Sequence, residues 1–143
     1  IHSDIRTVID SLLEYDEMHI VLGESMLGDR TQINFDRVHV IRDYPNALFY
    51  NAFDYSIQAG GYNSFHEMRS HGIPTLFIPN MNTGMDDQLA RCLVAEQEGW
   101  GLVHNSNHSL KDSIENLFSL EIKEIEIKSN GAEILALKIL NQI

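Results

Sequence analysis

The segment IQAGGYNSFHEMRSHGIP, residues 57–74, carries the residue types best suited to chemistry. An apolar run ends in Gly60 and Gly61, a helix-like stretch follows, and Glu67 sits one turn in. Lacking Cβ atoms, the glycines let backbone N–H groups approach a phosphate, and a helix start there adds a partial positive charge of roughly half an electron. Asn63 and Ser64 place short polar side chains at the same mouth. Glu67 is within reach of a diol such as ribose, because a carboxylate accepts from two hydroxyls at once. The same residues also fit a purely structural device: Ser64-Phe65-His66-Glu67 matches the S-x-x-E capping box, and two glycines before a helix make a tight turn. Spacing alone leaves both readings open.

A second cluster repeats the geometry one strand later. The run 75–78 ends at Pro79, the polar loop NMNTGM follows, and Asp86, Asp87 and Gln88 open the next helix. Asp at a helix start serves capping and the helix dipole. Gln88 and Arg91 lie off the stripe traced by Leu89, Cys92, Leu93 and Glu96, and so point toward the strand-end cleft. HEMRSH resembles the zinc motif H-E-x-x-H, but His66 and His71 lie about 500° apart along a helix, leaving roughly 140° between them. One metal cannot join them on an unbroken helix. No G-x-G-x-x-G, Walker or G-x-S-x-G pattern is present.

The elements that must position these residues follow from periodicity. Ile5, Val8, Ile9, Leu12 and Leu13 predict an opening amphipathic helix behind a Ser3 or Asp4 cap. Strands are expected at 18–23, 38–41, 54–58, 75–78 and 101–103. Helices are expected after Pro45 and at 62–71, 87–98, 110–118 and 132–143, with LEIKEIEIK at 120–128 unassigned. Short apolar strands alternating with helices argue a doubly wound α/β domain, its parallel sheet covered on both faces. Such domains usually start with a strand whereas this sequence starts with a helix, so a first strand is expected upstream of Ile1.

With 143 residues, 43% hydrophobic and 22% charged, the sequence is expected to form one soluble globular domain, 1–143. No apolar run approaches the roughly 18–20 residues of a membrane span, and the first residues do not read as a signal peptide. The single cysteine, Cys92, lies in an apolar helical pattern and reads as a buried thiol in a reducing, cytoplasmic setting. A net charge of −11 without a Lys/Arg cluster argues against a nucleic-acid partner, and leaves backbone N–H groups to meet any small anion.

AGGYNSFHE at 59–67, GIP at 72–74, Pro79 and DQ at 87–88 together resemble the plant-type UDP-glycosyltransferase signature, in which G-W-N-S-x-x-E is followed by G-x-P and D-Q. The block is also similar to the C-terminal domain of the bacterial lipid-linked N-acetylglucosaminyltransferase of peptidoglycan synthesis. The resemblance covers residues 38–103 and implies a Rossmann-like half of a GT-B architecture. It assigns Gly60, Gly61, Asn63 and Ser64 to the donor diphosphate, with Tyr62 in place of the signature Trp. Glu67 falls to the ribose hydroxyls, Asp87 and Gln88 to the donor sugar, and Ile41 and Arg42 to the base. Arg91 stands where the bacterial enzyme has an Asn near the sugar, and Ala59 where the plant signature has a phosphate-contacting His.

The function so implied is that of the donor-binding domain of a metal-independent glycosyltransferase. A sugar passes from a nucleoside-diphosphate sugar, UDP-linked, to an acceptor, with no cofactor beyond that donor. No residue of this chain is assigned as the catalytic base. The base and acceptor site are expected from an N-terminal domain of the same chain or from a partner subunit, so this domain should bind donor but transfer little. A cytoplasmic location is expected, with docking of the full-length protein at the cytoplasmic membrane face as its variant. A sugar-nucleotide hydrolase or epimerase, or a noncatalytic interaction module with the same fold, stand as alternatives.

Overall fold

Strands of three or four residues, most of them connected through helices that bury one apolar stripe, build a parallel α/β fold. The computed structural model describes residues 2–24, 34–42, 45–82, 84, 86–122 and 131–141. In chain order come α1 (His2–Leu12), β1 (Ile20–Gly23), β2 (Val38–Ile41), a 3-10 helix (Asn46–Ala52), β3 (Ser56–Gln58) and α2 (Tyr62–His71). They are followed by β4 (Thr75–Phe77), α3 (Gln88–Glu98), β5 (Gly101–Val103), α4 (Leu110–Phe118) and α5 (Gly131–Leu140). All strand pairings are parallel: β1 with β2, and β3 with β4 with β5.

β4 is bonded on both sides, and Thr75, Leu76 and Phe77 are wholly buried. Because successive side chains of a strand face opposite ways, Leu76 and Phe77 anchor two different cores. On one face Leu76 packs with Ile9 and Leu12 of α1, Ile20, Val38, and Ile114 and Leu117 of α4. On the other, Phe77 packs with Phe65 and Met68 of α2, Cys92 and Ala95 of α3, and Trp100. Helices on both faces of a parallel sheet make the Rossmann-like, doubly wound arrangement that the sequence implies.

Polar ties lock the connections. Arg37 donates to the carbonyls of Leu13 at 2.8 Å and Met18 at 3.2 Å and also to that of Tyr15, pinning the α1–β1 turn beside β2. Glu98 receives Arg69 of α2 through two 2.9 Å bonds and the Trp100 indole through a third. Ser109 and Asp112 close a reciprocal capping box on α4.

Several sequence expectations shift. α1 begins at His2, so Ser3 and Asp4 fall inside its first turn instead of capping it. β1, β3 and β4 are shorter than expected, at Ile20–Gly23, Ser56–Gln58 and Thr75–Phe77, because strand hydrogen bonding covers only part of each apolar run. On α3, Leu93 is exposed and Ala95 takes the buried position, since 92 and 95 lie closer to one face than 92 and 93. α5 is exposed along its length, Leu135, Leu137 and Ile139 included. Most of the unassigned LEIKEIEIK stretch lies outside the described residues. No helix among the described residues is long and apolar enough to cross a membrane.

Ile114, wholly buried between α1 and the sheet, tests the first core. Ile114→Ala is expected to cost about 2–5 kcal/mol, read as a lower urea midpoint at unchanged m-value.

Candidate functional site

The chain leaves β3 through Ala59 and enters α2 through Gly60 and Gly61, and the two glycines are there for different reasons. Gly60 has φ +82°, and a Cβ there would lie 2.3 Å from the Cys92 sulfur and 3.3 Å from Phe77 Cδ1. Only glycine meets both the left-handed backbone and the close approach. Gly61 has φ −58° and is the N-cap of α2, and a Cβ on it would have nothing within 4 Å. Neither conformation nor packing asks for glycine at 61; open space lies where its side chain would project.

The placement of the helix start decides whether the S-x-x-E capping box forms. α2 begins at Tyr62, Phe65 N–H donates to Gly61 O at 2.9 Å, and no side chain caps the N-terminus. Ser64 is therefore the third helical residue and Glu67 lies a full turn further on, so the S-x-x-E capping box does not form. Glu67 Oε2 instead accepts from the Tyr50 hydroxyl at 2.8 Å. Burial, and then the Glu67 carboxylate, push the Tyr50 hydroxyl up to about 12, so it stays a donor across the physiological range. Tyr50 sits on the 3-10 helix with its ring edge-on to His71. The sequence carried no signal for this partner, which lies outside every motif.

At the start of α3 the acids and amides form a chain of bonds. Asp87 is the N-cap and accepts from Ala90 N–H at 3.0 Å. Gln88 Oε1 accepts from Asn80 N–H at 3.0 Å, and its Nε2 donates to Asp86 Oδ2 at 3.3 Å. Arg91 pairs with Asp86, donates to the Gly60 carbonyl at 2.7 Å, and places its guanidinium 5.4 Å from the Tyr62 ring centroid. The guanidinium holds the Asp86 carboxyl below the usual carboxylate range. Arg91 thus points to the strand-end loops, where its contacts couple the loop after β4 to the loop after β3.

Around a small recess of about 270 Å³ lie Asn80, Met81, Gly84, Asp86, Asp87, Gln88 and Leu89. A larger cleft, about 1130 Å³, opens between β1 and β3 and includes Ile41, Tyr50, Ala59 and Ser64 at the carboxyl ends of the strands. Arg42 sits beside it with Nε 2.7 Å from Glu24 Oε2. Tyr62 and Asn63 are exposed on the first turn of α2. The structure therefore gathers Gly60, Gly61, Tyr62, Asn63, Ser64, Arg91 and the α3 start on one end of the sheet. Ile41 and Arg42 lie across the large cleft on the β1–β2 side.

Neither the protein-family models nor the curated protein sequences match this chain. Solved structures do. The glycosyltransferase of kitacinnamycin superposes with a TM-score of 0.66 at 18% identity, covering 81% of this chain and 30% of that one. The spinosyn forosaminyltransferase SpnP gives 0.62 at 16% identity, covering 79% and 28%. The glycosyltransferase SnogD from Streptomyces nogalater gives 0.52 at 18% identity, covering 76% and 29%. The likeness is one of fold: a Rossmann-like half of the GT-B architecture. The chain spans less than a third of each of these proteins.

The two glycines are separable by substitution. Gly60→Ala is expected to cost about 2–4 kcal/mol from the left-handed backbone and the collision with Cys92, whereas Gly61→Ala costs about 1 kcal/mol or less. Urea denaturation of both variants checks this. Burial also pushes the Cys92 thiol from its ordinary 9.0 up to about 11. Between those pH values the unfolded chain has lost the proton that the fold retains, so stability falls as pH rises through the window, by on the order of 2 kcal/mol. Cys92→Ala should flatten the urea midpoint against pH between about 9 and 10 and lessen its fall between 10 and 11, where the loss from Tyr50, raised from 10.0 to about 12, has already begun.

Proposed function

We propose that this chain is the donor-binding half of a glycosyltransferase and that its ligand is a nucleoside-diphosphate sugar, with UDP as the nucleotide. The observation that carries the reading is the uncapped start of α2 at Gly61, where no Cβ intrudes on open space. The first-turn N–H groups and the helix dipole there suit a diphosphate, which needs close backbone approach and partial positive charge. The fold shared with three glycosyltransferases supports the same reading.

Each neighbouring residue then has a task. Glu67, one oxygen fixed by Tyr50, offers its other oxygen to the ribose hydroxyls. Asn63 and Ser64 add polar contacts to the diphosphate, Asp87 and Gln88 flank the recess that takes the sugar, and Ile41 and Arg42 receive the base. Tyr62 and Arg91 shape the rim of the diphosphate site. When the glycosidic bond to the donor breaks, negative charge grows on the leaving diphosphate, and the helix start stabilises it without needing to reorganise. The base that activates the acceptor hydroxyl comes from a second domain or subunit.

Calorimetric titration of the folded chain tests this. Saturable binding of UDP, weaker for UMP, is the expected result, with GDP and dTDP reporting selectivity for the base. Glu67→Ala should weaken UDP binding roughly 10- to 100-fold and Tyr50→Phe roughly 2- to 10-fold, the difference between losing a charged acceptor and losing its support. UDP binding that is indifferent to Glu67→Ala removes the ribose assignment.

A further inference from the structure

Away from the strand-end loops, two exposed histidines meet on the β1–β2 pair. His19 immediately precedes β1, and His39 is the second residue of β2, paired in register with Val21. Because side chains alternate along a strand, His19, Val21 and His39 stand on one face, with the two imidazoles as diagonal neighbours across the ladder. His19 Nδ1 lies 3.2 Å from His39 Nε2, the ring centroids are 5.5 Å apart, and the ring planes are inclined by only 16°.

The backbone under both rings is held. Ile20 N–H, next to His19, bonds Arg37 O, and the Arg37 guanidinium donates to the carbonyls of Leu13, Tyr15 and Met18, in the turn that leads up to His19. His39 lies inside the parallel ladder, between Val38 and Val40, which pair with Ile20 and Leu22. Two ligands carried on fixed strands keep their spacing, so binding between them needs no ordering of the backbone.

Two neutral imidazoles this close share one proton: one ring donates its N–H and the other accepts on a bare nitrogen. The same two nitrogens fit a metal ion. On a tetrahedral Zn²⁺ at about 2.0–2.1 Å, two ligand nitrogens stand roughly 3.3–3.4 Å apart, close to the separation here. Binding moves the donor ring's proton to its own outer nitrogen through solvent, and a turn of the exposed rings aims both lone pairs at one point. Between neutral rings no net proton is released, and no backbone bond is lost. Imidazole favours Zn²⁺, Ni²⁺ and Cu²⁺ over the oxygen-seeking Mg²⁺ and Ca²⁺. Among the described residues no third His, Cys, Asp or Glu joins the pair, so water fills the remaining positions.

We propose that His19 and His39 form a two-histidine site for a transition-metal ion of the Zn²⁺ kind, which ties the amino end of β1 to β2. The histidines lie four and two residues before the strand ends at Gly23 and Ile41. The ion therefore acts on the β1–β2 pair, and the site stands independently of the donor-binding reading.

Calorimetric titration of the folded chain with ZnCl₂, repeated with NiCl₂ and MgCl₂, tests this without any nucleotide. One Zn²⁺ per chain with a Kd of roughly 1–100 μM is expected, with Ni²⁺ taking the same site and Mg²⁺ not binding there. Because the second histidine binds as an intramolecular ligand, His19→Ala or His39→Ala alone should weaken Zn²⁺ roughly 100-fold, and the two together little more. His108→Ala, exposed elsewhere on the chain, should leave the affinity unchanged. The imidazole Cε1–H resonances of His19 and His39 should shift together as Zn²⁺ is added, and His39→Gln stands in for His39→Ala if circular dichroism shows that variant unfolded. No saturable Zn²⁺ binding below roughly 1 mM, an affinity indifferent to either substitution, or a shift confined to one of the two rings overturns the proposal. One ion per two chains also overturns it, by assigning the histidines to a bridge between copies.

Discussion

The contact of the Gly60 backbone with the Cys92 sulfur fixes how closely α2, α3 and β4 can approach one another. A left-handed residue without a side chain lets the loop after β3 fall onto α3, and Phe77 of β4 closes the contact from below. That descent sets the height at which α2 begins, and so which backbone N–H groups reach the end of the sheet. Arg91 then takes the Gly60 carbonyl and holds the loop down. Cys92 is suited to this position as a small, polarizable group that burial keeps protonated, so no charge sits beneath the loop.

Charge is distributed around this arrangement in an instructive way. The sequence carries −11 overall, and among the described residues the two arginines near the candidate site are engaged: Arg91 with Asp86 and the Gly60 carbonyl, Arg42 with Glu24. Neither stands as a point charge waiting for an anion. On the proposed reading, recognition of a phosphate at this end of the sheet would fall to backbone dipoles, which act at short range and demand close approach. Open space at Gly61 supplies that approach.

The sequence was most legible where one physical period controlled the outcome. Alternation of short apolar runs with amphipathic helices gave the parallel, two-faced fold, and the glycine pair between an apolar run and a helix located the loop after β3. Legibility failed where a backbone or a distant side chain did the work. The S-x-x-E pattern suggests Ser64 as a cap, yet a glycine at the N-cap moves the helix start three residues earlier and leaves no side-chain signature. Tyr50 reaches Glu67 from a 3-10 helix 17 residues earlier in the chain, a pairing that no local spacing encodes. Gln88 and Arg91 were expected to face the strand-end cleft; their bonds to Asn80, Asp86 and Gly60 show that they also brace it.

The order of the strands accounts for where these residues gather. From β1 the chain steps outward to β2, and from β3 it steps outward the other way through β4 to β5, so the direction of winding reverses between β1 and β3. At such a reversal the connecting loops diverge to opposite sides, leaving a crevice beyond the carboxyl ends of the strands that no loop covers. Ile41 borders it on one side, and Ala59, Ser64 and residues 78–82 border it on the other, with the recess at the α3 start beside them. The crevice is a property of chain order, and side chains decide only what it can hold. Here the closest approach is at Gly61, the fixed acceptor is Glu67, and the widest opening lies between the two sheets.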